Sequence, residues 1–123
     1  MSLKYFQEKQ SVMNLKQSFG EYLRELREDH NLPIRKVASK LDIDPSTLGK
    51  IERGERSANK EMIPIIADLF GIEEKTLGLI LFSDKVANQI IEEENTNEIL
   101  KVAEEKIQYL KNKNLKQGSL DLK

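Results

Sequence analysis

Residues 32–56 read LPIRKVASKLDIDPSTLGKIERGER and predict two short helices separated by a turn. Pro33 suits the start of the first helix, because no amide hydrogen is needed there, and Asp44-Pro45 supplies an N-cap and a first residue for the second. Gly54 can end the second helix in the left-handed conformation. We therefore expect helices over residues 34–41 and 45–53. Their inward-facing side chains would be Val37, Ala38, Leu41, Leu48 and Ile51.

Apolar residues at helical spacing continue this pattern on both sides. A helix is predicted from Phe19, which has apolar partners at i+3, i+4 and i+7, and Asn31 can close it. Further helices are predicted over residues 63–70, 73–82 and 96–111, whereas no stretch alternates as a strand does. The predicted fold is all-α. We expect an N-terminal arm or extra helix over 1–18, a five-helix domain over 19–82, a helical segment over 83–111 and a flexible tail over 112–123.

The composition excludes most catalytic and metal-binding chemistry. A chain of 123 residues has room for one domain and an extension. It contains no cysteine and a single histidine, His30, which excludes disulfides, thiol nucleophiles and cysteine- or histidine-built metal sites. We therefore expect no enzyme, no metal and no other cofactor. No apolar stretch approaches the length of about 18 residues that a membrane span needs, and no signal peptide is recognised, so a cytoplasmic location is expected.

The net charge of −1 hides a segregation of charge along the chain. Residues 33–60 carry seven basic and four acidic side chains, whereas residues 61–98 carry two basic and nine acidic ones. Such blocks let one face bind an anion although the total is neutral, but they also occur on solvated helix faces.

Two short helices joined by a turn have a shape that fits the major groove of DNA, which admits one helix. Base edges are reached only by side chains near the start of the second helix and one turn further along. Here these are Ser46, Thr47 and Lys50. A lysine ammonium can donate to guanine O6 and N7, while Ser46 could equally cap the start of the helix.

This stretch resembles the Xre family of helix-turn-helix regulators, which includes the lambda-type phage repressors. The residues that carry the resemblance are Val37-Ala38, Leu41, Ser46-Thr47-Leu48, Ile51-Glu52-Arg53-Gly54, Arg56 and Phe70-Gly71-Ile72, and the similarity covers residues 19–81. It implies a lambda-repressor-like domain that binds double-stranded DNA. It also implies an ion pair between Arg27 and Glu52 beneath the motif. The chain departs from the family at Ile34, where many relatives have glutamine, and at Asp42, where a turn glycine is usual, so the operator cannot be copied from a relative.

The motif gives two sets of candidate DNA-binding residues. Gly49 costs about 1 kcal/mol relative to alanine in a helix, so close approach to DNA is a candidate reason for it, drift at a tolerant site being the other. If Gly49 is there for close approach to DNA, Gly49→Ala should keep or raise stability but weaken operator binding. The base-reading candidates are Pro45, Ser46, Thr47, Gly49 and Lys50. The phosphate-binding candidates are Arg35, Lys36, Arg53, Arg56, Asn59 and Lys60.

One helix reads too few base pairs for an operator, so such domains usually bind as two-fold dimers with half-sites about 34 Å apart. The candidate dimerisation residues are Leu77, Ile80, Leu81, Phe82, Val86, Ile90, Leu100, Ala103, Ile107 and Leu110. The apolar seam of the last helix lasts barely two heptads, so packing within one subunit stays open. We predict a dimeric, sequence-specific transcriptional repressor of its own promoter that binds a palindromic operator. The alternative is an antitoxin-like interaction module whose C-terminal helices bind a partner protein.

Overall fold

A computed structural model describes the backbone of residues 16–121 and the side chains as far as residue 115. In that range every regular element is an α-helix, which confirms the all-α prediction. The helices are α1 (Phe19–Asp29), α2 (Ile34–Lys40), α3 (Pro45–Glu52), α4 (Met62–Phe70), α5 (Glu74–Ile90) and α6 (Thr96–Asp121). Residues 1–15 of the predicted arm lie outside the described range. None of the described helices combines the length and the apolar character that crossing a membrane requires.

The chain divides into two compact units, one up to Val86 and one from Ala87. The first unit holds α1 to α4 and most of α5 around one apolar core, in which α3 packs against both α1 and α2. Fully buried leucine or isoleucine side chains contribute roughly 1.5–3 kcal/mol each. The largest fully buried side chains of this core are Leu23, Leu48, Ile66, Leu77, Leu81 and Val37.

Local signals fix where the helices of the first unit begin and end. Asn31 and Asp42 adopt left-handed conformations with φ of 54° and 57°, as their positions after α1 and α2 predict. Gly54 and Gly71 do the same after α3 and α4. Pro64 lies in the first turn of α4, which begins at Met62, so its missing amide hydrogen costs no helical hydrogen bond.

The start of α1 carries a capping box that the sequence reasoning missed. The Ser18 hydroxyl accepts from the Glu21 amide, and the Glu21 carboxylate accepts from the Ser18 amide. The Phe19 amide donates to the carboxylate of Asp84 on α5. Ser18 three residues before Glu21, directly ahead of an apolar run, was the available signal. The first turn of α1 is thus held by its own capping box and by a hydrogen bond to α5.

Two helices are longer than predicted. α5 continues from Phe82 to Ile90, because residues 83–90 contain no proline or glycine and the Ser83 hydroxyl donates to the Ile80 carbonyl within the helix. α6 continues to Asp121, through most of the segment expected to be a flexible tail. This stretch contains no proline, and half of residues 112–121 are lysine, leucine or glutamine, which are good helix formers. A polar sequence therefore does not by itself mark the end of a helix.

The second unit consists of the end of α5, a short acidic turn and α6. Partly covered side chains lie at Ile90, Thr96, Ile99 and Ala103. From residue 104 to residue 115 every described side chain of α6 is exposed. No face of this part of α6 is therefore covered within its own unit. Most helices in proteins are stabilised by packing of an apolar face, because an isolated helix is only marginally stable in water.

Candidate nucleic-acid interface

α3 presents one face to the core and another to solvent. Leu48 and Ile51 are buried, whereas Pro45, Ser46 and Lys50 are exposed and Thr47 is partly covered. This division follows from helical periodicity, because residues 48 and 51 share a face and residues 46 and 50 lie one turn apart on the other. The predicted base-reading side chains Ser46 and Lys50 therefore project from the same exposed surface.

The start of α3 follows the left-handed turn at Asp42. Asp44 occupies the N-cap, as predicted, but its side chain makes no capping hydrogen bond, and Pro45 takes the first helical position. Among the described residues, no side chain accepts a hydrogen bond from the first amides of α3, which point along the helix axis at its N-terminus. Amides in this arrangement can donate to the phosphate oxygens that flank a groove.

Basic and polar side chains surround α3 on the surface. Arg35 and Lys36 lie in the first turn of α2, and Arg56, Asn59 and Lys60 lie in the loop between α3 and α4. All five are exposed. The ion pairs among the described side chains involve none of these four cations and not Lys50. Their charges are thus available to an anionic ligand.

Arg53, the remaining phosphate candidate, has an acidic partner. Its Nε donates to the carboxylate of Glu55 two residues later, and both side chains are more than half exposed. The hydrogen bond and the charge of Arg53 lower the pKa of Glu55 below its ordinary value. Glu55 therefore stays ionised and competes with any phosphate for the Arg53 guanidinium.

Gly49 is not part of the exposed surface, which corrects its assignment as a base-reading candidate. It is buried, and a Cβ placed on it would lie 3.1 Å from Nη1 of Arg53 and 3.8 Å from Cδ1 of Ile34. The side chain of Arg53 folds over this position. A methyl group there would displace the guanidinium by a few tenths of an ångström, so any effect of Gly49→Ala on DNA binding would act through Arg53.

A buried ion pair fixes the inner face of α3. Arg27 donates from Nε and Nη2 to the two carboxylate oxygens of Glu52 at 2.8 and 3.0 Å, and from Nη1 to the Leu32 carbonyl at 3.0 Å. The exposed fractions are 14% for the Arg27 side chain and 4% for that of Glu52. The hydrogen bonds to Glu52 raise the pKa of Arg27 above its ordinary value. This pair, which the family resemblance implied, joins α1, the loop before α2 and the end of α3.

Gly20 is a structural requirement of the site that the sequence reasoning did not single out. A Cβ on Gly20 would lie 2.0 Å from the carbonyl oxygen of Ile51. The absence of a side chain thus lets α1 approach the backbone at the end of α3. A glycine inside the first turn of an otherwise amphipathic helix was the signal, since helix propensity disfavours it there.

The candidate dimerisation residues fall into three groups, according to how far the fold covers them. Leu77 and Leu81 are buried in the core of the first unit and Ile80 packs against that core, so Leu77 and Leu81 cannot form a subunit interface, which corrects their assignment. Both belong to the same cluster of buried apolar side chains as Leu23, Leu48 and Ile66. Ile90 and Ala103 are partly covered. Exposed apolar side chains of the set remain at Phe82, Val86, Leu100, Ile107 and Leu110.

His30 is explained by the fold. It is exposed at the end of α1, its Nδ1 lies 2.8 Å from the Leu26 carbonyl, and its ring packs against that of Phe70 in a T-shaped arrangement. Within the described residues no group of histidine, aspartate and glutamate side chains could hold a metal ion.

Comparison with known proteins identifies this same region. A family model described as "Helix-turn-helix" matches residues 23–77, which include α1 from Leu23, α2, α3, α4 and the start of α5. Neither the curated proteins nor the solved structures gave a match. The described helices agree with the lambda-repressor-like all-α fold of that family.

Proposed function

Because residues 23–77 belong to the Xre/lambda-repressor-like helix-turn-helix family of DNA-binding regulatory domains, we propose that this protein is a dimeric repressor that reads a palindromic operator. In the proposed complex α3 enters the major groove. The observation that carries the proposal is that α3 has one buried face and one exposed face. Its inner face is fixed by the core and by the Arg27–Glu52 pair, while its outer face presents Ser46 and Lys50 among cations that form no ion pair with the described side chains.

The exposed residues take two roles in this complex. Lys50 donates to guanine O6 and N7, and Ser46 and Thr47 donate to bases or to adjacent phosphates. The phosphate-binding side chains hold α3 in register and contribute most of the affinity, but they carry no sequence information. They are Arg35, Lys36, Arg53, Arg56, Asn59 and Lys60.

Footprinting on the promoter of the gene itself tests the proposal. We expect protection of two symmetric half-sites, since a two-fold dimer places one α3 on each. A single protected half-site or no protection would contradict it.

Substitution of Lys50 tests the role of α3. Lys50→Ala should weaken operator binding by about ten-fold or more per half-site while changing binding to unrelated DNA only a few-fold, since a base contact contributes about 1–3 kcal/mol of discrimination. Lys36→Ala is the matched control, because loss of a phosphate contact should weaken both kinds of DNA about equally. Equal effects of the two variants on both DNAs would remove Lys50 from the base-reading set.

The second candidate function is protein capture by the C-terminal unit. It is favoured by the exposed apolar residues of α6 outside the predicted seam, Val102, Tyr109 and Leu115. A stoichiometric complex with the product of a neighbouring gene, lost on Tyr109→Ala and kept on Lys50→Ala, would support it.

A further inference from the structure

Between Leu100 and Leu110, α6 carries a largely exposed apolar seam, formed by Leu100, Ala103, Ile107 and Leu110. The exposed fractions are 46% for Leu100, 50% for Ile107 and 52% for Leu110, while Ala103 is partly covered. The seam residues follow one another at spacings of three, four and three, which places them on one side of the helix. Resting on the dimer of the proposed function, we propose that α6 pairs with α6 of a second copy in antiparallel orientation, centred on Glu105.

The sizes of the seam side chains support this orientation. In an antiparallel pair centred on residue 105, Leu100 lies opposite Leu110 of the second copy, and Ala103 lies opposite Ile107. Each small side chain then faces a large one, as close packing requires. A parallel pair in register would place Ala103 opposite Ala103 and leave a gap in the middle of a seam that has only four residues.

The distribution of charge supports the same orientation independently. Residues 92–105 carry six glutamates and one lysine, whereas residues 106–115 carry three lysines and no acidic side chain. Antiparallel pairing places the acidic half of one copy beside the basic half of the other. Parallel pairing places like charges side by side, within the distance of about 10 Å over which they interact at ordinary salt.

Interaction with the helix dipole explains this distribution only in part, through Glu98 in the first turn of α6. The dipole acts on charges in the first and last turns of a helix. Glu104, Glu105 and Lys106, where the sign of the charge changes, lie in the interior of the 26-residue α6, beyond its first turn and well before its last. The change of sign coincides with the centre about which the seam is complementary to itself.

Cysteine cross-linking tests the orientation, because the chain has no cysteine of its own. We expect the Leu100→Cys variant mixed with the Leu110→Cys variant to form a disulfide-linked heterodimer under mild oxidation. Either variant alone should form none, since ten residues of helix separate the identical positions by about 15 Å, beyond disulfide range. Cross-linking of each variant with itself and not with the other would show a parallel pair and overturn the proposal.

Removal of basic charge also tests the orientation, because antiparallel and parallel pairs predict changes of the dimer Kd in opposite directions. In sedimentation velocity without DNA, Lys111→Gln/Lys113→Gln should raise the dimer Kd by about ten-fold at low salt, because it removes attraction between opposite halves. A parallel pair would become tighter instead, since like charges are removed. Lys40→Gln/Lys75→Gln, which removes two exposed lysines from the first unit, is the matched control and should leave the Kd unchanged.

Self-association is measured without DNA, so its outcome is separate from that of the proposed function. A protein that is monomeric at all concentrations but protects its operator would overturn the antiparallel pair and leave DNA binding intact. A dimer that cross-links as expected but binds no DNA would overturn the proposed function and leave the pairing intact. Assembly only with a foreign protein would overturn the pairing.

Discussion

The pair of Arg27 and Glu52 should dominate the stability of the DNA-binding surface. Removal of the guanidinium by Arg27→Ala leaves the Glu52 carboxylate buried without a counter-charge, which costs on the order of 3–5 kcal/mol. We expect a drop of the Tm by roughly 10 °C or more in a domain of this size, measured by circular dichroism.

The matched control for this prediction lies on the same helix. Arg24 pairs with Glu28 on the solvent side of α1, and both side chains are more than half exposed. Such exposed pairs contribute about 0.5 kcal/mol or less, so Arg24→Ala should shift the Tm by only a few degrees. Equal shifts for the two variants would show that Arg27 and Glu52 are not a buried pair in solution.

The close approach of α1 to α3 at Gly20 predicts a severe effect of one methyl group. Gly20→Ala would place Cβ against the Ile51 carbonyl, a backbone atom that cannot move aside without shifting α3. Overpacking of this kind typically costs about 1–3 kcal/mol, and this backbone clash should lie at or above the upper end. Urea unfolding should therefore show a midpoint well below that of the natural chain.

A second glycine gives the opposite expectation and serves as the control. A Cβ on Gly78 of α5 would lie 4.0 Å from the ring atoms of Phe82, an ordinary contact. Gly78→Ala should thus raise stability by about 0.5–1 kcal/mol through helix propensity alone. If both variants destabilised the protein alike, the contrast in local packing would be wrong.

Most of the fold was predictable from the sequence because its helices carry strong local signals. Asn31, Asp42 and Gly54 mark three helix ends by residue types that tolerate positive φ, and the structure has each of them there. The lengths of α5 and α6 were underestimated, because polar residues continue a helix without any periodic apolar signal. Helix ends are predictable where a residue stops the helix and are not where the chain merely becomes polar.

The site was predictable in part, and the failures have two causes. Helical periodicity separates the faces of α3 and correctly leaves Lys50 exposed. It gave no warning that the Arg53 side chain covers Gly49, or that Leu77 and Leu81 complete the core of the first unit. These facts depend on contacts between elements far apart in sequence, or on a side-chain direction that spacing does not specify.

The loop after α3 contains an acidic side chain, Glu55, that competes with DNA phosphates for the Arg53 guanidinium. Glu55 holds the Arg53 guanidinium and adds a negative charge close to where the proposal places the phosphates. Glu55→Gln should tighten binding to operator and unrelated DNA alike, by several-fold at low salt, because it frees Arg53 and removes repulsion. Fluorescence anisotropy measures this effect, and Glu61→Gln, which removes a charge from the start of α4, is the control. Weaker binding by Glu55→Gln would show that the pair positions Arg53 productively instead.

The salt dependence of operator binding reports on the complete assembly, since every phosphate contact releases counterions. The slope of log Kd against log salt concentration falls by about 1 for each lost lysine or arginine contact. A two-fold dimer makes each contact twice, so Arg56→Gln should reduce the slope by about 2 on a palindromic operator and by about 1 on an isolated half-site. Ser57→Ala, which changes the neighbouring side chain without changing charge, should leave both slopes unaltered. A reduction of about 1 on the full operator would mean that one copy of Arg56 contacts the DNA, and a symmetric dimer would then be excluded.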